Sequence, residues 1–298
     1  MKKTIVRVPA STANLGPGFD CMGLALDLWN QVEFMIIDHG FIINVQGEGE
    51  NEILKNQDNL IYKAFSKTYQ KLDSTPPNNL EITCQNAIPL ASGLGSSAAA
   101  TLLGIMGANS LLGNPLNNQE MIELGTEIEG HPDNIAPSLL GGCTISLKRD
   151  NGILTEKIQT HPWKIVVVLP EFELSTETAR DALPEQVTVS DAVSNIGNSL
   201  LVAQALQKGD LQLLKQAMVD TLHQPYRVPL IPGAAEAILS AQEMGAAAAL
   251  SGAGPSVIAF TNKHSDKLGE SMAKTFSDAG LDSRIFNLDI ENHGAFVL

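Results

Sequence analysis

Ile88-Pro-Leu-Ala-Ser-Gly-Leu-Gly-Ser-Ser-Ala-Ala-Ala100 joins a two-glycine turn to a run of small helix formers, with adjacent hydroxyls at the join. Gly93 and Gly95 admit positive φ and close approach to the backbone. Ser96 reads as the N-cap of a helix running through Ala98 to about Leu112. Free amides at such a helix start, with roughly half a positive charge from the dipole, predict an anion-holding loop that needs no lysine. Two familiar phosphate motifs do not describe it. The segment has no Gly-Lys-Ser/Thr, and Gly93-x-Gly95-x-x-Ala98 follows a long stretch of chain where a dinucleotide fingerprint would open the first βαβ unit. A bare Gly-x-Gly is also common in close-packed turns, so the decision rests on what surrounds it.

Bulk properties narrow the partners. With 298 residues, 44% of them hydrophobic, the chain can bury a large core and is long enough for two domains. A net charge of −14 argues against nucleic acid or an anionic membrane surface, either of which rewards a basic face. An anionic substrate must then be held by local devices. Cys21, Cys84 and Cys143 have no metal-site or paired spacing, read as small buried hydrophobes and suit a reducing cytoplasm. Arg7 and Pro9 cut short the only candidate export segment, and the longest apolar runs are too short or too broken to span a bilayer.

Strand-like runs lie at 4–8, 32–37, 41–45 and 80–84, the second and third separated by Asp38-His-Gly40, which predicts a hairpin meander. Helical periodicity covers 60–72, 97–112 and 118–129, and a strand follows at 143–147. Beyond Pro162 the pattern is strand 164–169, helices 189–207, 210–219 and 234–244, strands 246–250 and 256–261, helix 265–279 and strand 282–288. The class is α+β, with an expected division into residues 1–155 and 156–298.

Pro-x-x-x-Gly-Leu-Gly-Ser-Ser-Ala-Ala resembles the central motif of the GHMP kinases. Pro9-Ala-Ser-Thr-Ala-Asn-Leu-Gly-Pro-Gly-Phe-Asp20 and Ser251-Gly-Ala-Gly-Pro-Ser256 stand where that superfamily has its first and last motifs, and the first is similar to the homoserine kinase version. The resemblance implies an N-terminal domain like ribosomal protein S5 domain 2, a ferredoxin-like C-terminal domain, and an active site between them. It implies ATP as co-substrate, Mg2+, L-homoserine as the small-molecule acceptor, a step toward threonine, and a homodimer as the candidate assembly. A mevalonate-type kinase and a non-catalytic metabolite sensor of the same fold are the alternatives.

A phosphoryl transferase needs a phosphate cradle, a divalent cation and a holder that aims the attacking hydroxyl. The resemblance assigns the nucleotide to Pro89, Leu90, Ala91, Ser92, Gly93, Leu94, Gly95, Ser96, Ser97, Ala98 and Ala99, with Asn59. It assigns the metal to Ser97 and Glu129, with Glu127 as rival; one hydroxyl and one carboxylate suffice for an ion that keeps most of its waters. The acceptor falls to Asn14, Asp20, Asn134, Arg180 and Arg227, and Asp133 and Thr176 join Asn134 and Asp20 near the reacting hydroxyl. Asp133 is a general base or a structural residue. His131, with no second histidine spaced to join it, reads as a turn residue in preference to a metal ligand. Arginine forks grip a planar carboxylate bidentately, and a carboxylate with an amide suits an ammonium, so the set fits a zwitterion. Ala87 and Ser92 are neutral where relatives can carry a base. Gly95→Val is expected to block nucleotide and to spare the acceptor side.

Overall fold

Which strand lies beside which is decided by burial of alternate residues. The computed structural model describes residues 2–263 and 265–298. Strands β1 (Lys3–Ala13) and β2 (Met22–Ile36) pair antiparallel, with a bulge between Pro9 and Ala10. The chain continues through β3 (Phe41–Gly47), helix α1 (Leu60–Lys71) and β4 (Leu80–Asn86). The hairpin expected across Asp38-His-Gly40 does not form. β4 inserts between β2 and β3, antiparallel to the first and parallel to the second. A parallel pair needs a crossover, which α1 supplies. Leu80, Ile82 and Cys84 of β4 are fully buried, as a central strand requires, whereas β3 exposes Ile42 and buries Ile43 and Val45, as befits an edge.

Next come α2 (Ser96–Leu111), α3 (Asn118–Glu129), α4 (Ile135–Leu140), β5 (Cys143–Arg149) and β6 (Gly152–Ile158). α2 is buried nearly all round, which explains its uniform apolarity. β5 pairs with the first residues of β2, and β6 with β5. The polar turn after β5 was legible, but β6, with alternating exposure, and the six-residue α4 carried too little pattern to be expected.

The second sheet comprises β7 (Lys164–Pro170), β8 (Ala247–Leu250), β9 (Val257–Thr261) and β10 (Ser283–Asp289) in the order β10-β7-β9-β8, that of a ferredoxin-like unit. Between β7 and β8 lie α5 (Thr176–Asp181), α6 (Val189–Lys208), α7 (Leu211–Ala217), α8 (Gln224–Arg227), a 3-10 turn and α9 (Ala234–Glu243); α10 (Asp266–Asp278) precedes β10. Both faces are covered. Val166, Val168 and Ala259 share a cluster with residues of α9 and α10. Ile165, Val167, Ile258 and Phe260 belong to the cluster that runs continuously into the first sheet's core. That two-sided burial accounts for the uninterrupted Ile-Val-Val-Val-Leu run. The last strand, β11 (Phe296–Val297), returns to pair with β1.

Cys84 and Cys143 are buried as expected, their thiols pushed up to about 12 by burial, whereas Cys21 is half-exposed.

Candidate active site

The loop before α2 is held by its neighbours' backbones. Gly95, at φ 69, is the N-cap, and Ser96 is the first helical residue instead of the cap expected of it; no side chain caps this end. Its first amides therefore face the cavity side unsatisfied by protein side chains, the condition for anion binding at a helix start. Leu94 O accepts from Ser11 N at 3.1 Å. Gly93 O accepts from Ser251 Oγ at 2.7 Å, which ties the loop to the turn between β8 and β9. A Cβ on Gly93 would lie 2.2 Å from Ser251 O, and one on Gly95 would lie 2.2 Å from Ser11 Oγ and 3.1 Å from Asn134 Oδ1. Glycine is required at both positions because protein atoms occupy the space a Cβ would take.

A cavity of about 460 Å3 opens where this loop meets the β1–β2 loop, the α3–α4 turn, the start of α5, α8 and the β8–β9 turn. That is a small-ligand volume. Ala91, Ser92, Gly93, Gly95, Ser96, Ser97 and Ala98 line it, together with Asn14, Asp20, Glu129, Asp133, Asn134, Thr176, Arg180 and Arg227. Leu94 and Ala99 are instead fully buried in the core. Pro89 and Leu90 face a separate cavity against Phe172 and Glu173. Asn59 caps α1: its Oδ1 accepts from Ile61 N and Tyr62 N, and its Nδ2 donates to Leu54 O. The adjacent Leu60 is the residue from that corner that lines the site.

Ser97 Oγ donates to Glu129 Oε1 at 3.0 Å, and Thr101 Oγ1 donates to the same oxygen at 2.6 Å. Glu127 points elsewhere, to Lys67 at 2.9 Å, and that partner holds its carboxyl below the usual range. Thr101 was not foreseen, yet it stands one helical turn beyond Ser97 on the same face. One hydroxyl beside one carboxylate fits a magnesium ion, which takes few protein oxygens.

In the same cavity Arg180 grips Asp20 bidentately, Nη1 to Oδ2 at 3.0 Å and Nη2 to Oδ1 at 3.1 Å, and this contact raises the guanidinium's pKa. Asn14 braces the same loop: its Oδ1 accepts from Asp20 N and its Nδ2 donates to Gly252 O. Asn14, Leu15 and Asp20 all have positive φ. Asn and Asp tolerate that region, but Leu does not, and the buried Leu15 marks a loop held in a strained shape by its packing. Arg227 is 2% exposed, so burial lowers its pKa; Nε donates to Ala179 O, and the guanidinium lies 5.2 Å from the Phe19 ring centroid. His131 bonds through Nδ1 to Asp133 Oδ1, and chiefly this hydrogen bond raises the imidazole pKa. Asn134 Oδ1 accepts from Ser11 Oγ at 3.0 Å.

Sequence reasoning did not assign Ser11, Phe19 or the lining residues Gly252, Ala253 and Gly254. The last three lie within the glycine-rich segment 251–256, which was read only as the position of the family's last motif. The start of α5, which carries Thr176 and Arg180, had a legible signal in its N-cap Ser175 and first-turn Glu177.

A backbone anion cradle and a paired hydroxyl and carboxylate facing a carboxylate and two guanidinium groups define a small-molecule phosphotransferase site. The GHMP kinases N terminal domain model matches residues 59–142, and the GHMP kinases C terminal model residues 202–278. The chain belongs to the GHMP kinase family and is an ATP-dependent small-molecule kinase. Within that family it stands with the homoserine kinases: it is 44% identical to the homoserine kinase of Moorella thermoacetica over 296 residues, covering 99% of each chain. The crystal structure of homoserine kinase from Cytophaga hutchinsonii superposes with a TM-score of 0.90 at 29% identity, over 100% of this chain and 98% of that one. L. major mevalonate kinase, crystallised with R-mevalonate, shares the fold at TM-score 0.72 and 16% identity, over 99% of this chain and 97% of that one. No helix among the described residues is long and apolar enough to cross a membrane.

Proposed function

We propose that this kinase transfers the γ-phosphoryl group of ATP to the side-chain hydroxyl of L-homoserine, yielding O-phospho-L-homoserine and ADP in threonine biosynthesis. The observation that carries the reading is the composition of one wall. Asp20, Arg180 and Arg227 bring one carboxylate and two guanidinium groups into the same cavity as the anion loop. A zwitterionic amino acid matches that set; an acceptor whose carboxylate takes Arg180 from Asp20 without bringing an ammonium leaves Asp20 unanswered.

Asp20 and Asn14 receive the ammonium, and Arg180 and Arg227 hold the carboxylate. Asn134 and Thr176 sit at the hydroxyl end. The loop from Ala91 to Ala98 offers its amides to the phosphates. Ser97 and Glu129 hold Mg2+, which when bound neutralises charge on the transferring phosphoryl group. A loose transition state asks for aim and charge stabilisation more than for covalent help. Asp133, engaged by His131, fits a positioning role better than that of a free base. We carry with this reading a division into residues 1–155 and 156–298, a cytoplasmic setting, and a homodimer. The exposed apolar side chains of Val189, Val193, Ile196 and Leu200 along α6 support the homodimer.

The deciding measurement is a panel of acceptors with ATP and Mg2+. L-homoserine is expected to exceed mevalonate in kcat/KM by several orders of magnitude, because sites built around charged partners reject analogues that lack them. Comparable values for the two would overturn the assignment.

A further inference from the structure

The outer face of the first sheet carries a row of side chains that the kinase reaction does not use. Phe296 pairs with Arg7, Arg7 with Gln31, Gln31 with Gln85, and Gln85 with Gln46, so the row crosses five adjacent strands, β11, β1, β2, β4 and β3. Directly paired residues share a face, and at roughly 4.8 Å per strand the row from Arg7 to Gln46 is about 14 Å long. An open cavity of about 410 Å3 lies over it.

Arg7 is the unusual member. In a chain of 33 acidic and 19 basic residues, the default for a partly exposed arginine is an ion pair. Among the described residues Arg7 has none, and its buried Nε has no hydrogen-bond partner. Its guanidinium instead lies against an edge-to-face ring pair, 5.0 Å from the Trp29 centroid and 5.7 Å from that of Phe296, the two rings being 5.5 Å apart. A second buried orphan, Asn86 Oδ1, is an acceptor among the residues lining the same cavity.

Among the described residues no carboxylate lines the cavity. Of the acids nearby, Glu33 pairs with Lys3 and Glu48 with Arg284, and Asp27 Oδ1 accepts from the indole of Trp29, itself a lining residue. A cation set against an aromatic pair, without an ion-pair partner among the described residues, and followed by a run of amides is suited to an anion with a hydrogen-bonding body.

We propose that this face is a second binding site, separate from the catalytic cleft, for a small organic oxyanion. Arg7 holds the carboxylate or phosphate end, and Gln31, Gln85 and Gln46 hydrogen-bond a hydroxylated body laid along the row. Trp29 forms a wall of the site and reports its occupancy.

Glycerol 3-phosphate, glycerate and glycerol, titrated separately while tryptophan emission is followed, share a body and differ in the charged end. Either oxyanion is expected to give a saturable change that glycerol does not, and the stronger of the two identifies the preferred source. The change is expected to vanish in Trp29→Phe. Arg7→Gln should raise the half-saturating concentration at least tenfold, and Arg7→Lys, which keeps charge but loses the fork, should fall between. Both Arg7 variants should keep the parent's kcat/KM for phosphoryl transfer. A change that does not saturate in the millimolar range, is matched by glycerol, persists in Trp29→Phe, or survives Arg7→Gln undiminished would remove the site.

Discussion

The two walls of the catalytic cavity are made of different material. The wall proposed for the nucleotide is backbone: an αL glycine, the first turn of α2, and carbonyls tied to Ser11 and Ser251. The wall proposed for the acceptor is side chain: Asp20, Arg180, Arg227 and His131–Asp133, brought together from β1–β2, α5, α8 and the turn before α4. A backbone wall tolerates no added volume, whereas a side-chain wall can be edited one interaction at a time. Gly95 is where the distinction fails, because its missing Cβ is the space that Ser11 and Asn134 occupy.

Gly95→Val should have the largest effect and break both walls together. A β-branched residue at φ 69 costs about 1–2 kcal/mol in backbone strain alone, and the clash with Ser11 Oγ adds to it. Loss of ATP binding, a lower Tm and weakened homoserine binding should appear together by calorimetry. The expectation that the acceptor side would be spared is withdrawn on the 2.2 Å approach to Ser11; intact homoserine affinity in a folded Gly95→Val protein would restore it. Arg227→Lys should be confined to the other wall. It keeps charge but loses the fork and the Nε bond to Ala179 O, so kcat/KM for homoserine should fall about 10²–10³-fold, roughly 3–4 kcal/mol. Equilibrium binding of ATP should be nearly unchanged, and a shift there would put Arg227 on the nucleotide side.

Glu129→Gln should raise the Mg2+ concentration for half-maximal rate by at least the ~10–100-fold that outer-shell changes cost a metal site. Glu127→Gln, which removes an exposed pair with Lys67, should leave the requirement alone and change stability by about 0–1 kcal/mol. The reverse pattern moves the ligand to Glu127. The smallest effect concerns His131. Its pKa is raised by Asp133, so the pair stabilises the fold most below the imidazole's ordinary pKa of about 6.5 and loses that contribution as pH rises through the raised value. The stability gap between the parent and Asp133→Asn should therefore narrow from pH 6 to pH 9. A gap constant across that range, by urea denaturation, would mean that the histidine does not titrate with the fold.

What was legible in the sequence follows the same division. The backbone wall is written locally, in Gly93-Leu-Gly-Ser-Ser97, because positive φ and close approach restrict residue type within a few positions. Motif resemblance also named Asp20, Arg180 and Arg227, but nothing local revealed that Asp20 and Arg180 grip each other or that Arg227 is buried against Phe19. Those contacts join residues separated by most of the chain. The β2–β4–β3 order was misread for a related reason: a short turn after β2 suggests a hairpin, and only the later β4, apolar on its buried face, reveals the strand that belongs between.

The bidentate Asp20–Arg180 contact gives the cleft an internal counterion. A simple cation that draws Asp20 away strands a guanidinium, and a simple anion that draws Arg180 away strands a carboxylate, so each singly charged intruder leaves one group bare. A molecule carrying both charges exchanges one ion pair for two. With Asp20 and Arg180 as the proposed acceptor groups, the closed pair would disfavour salts and singly charged metabolites before any shape is tested.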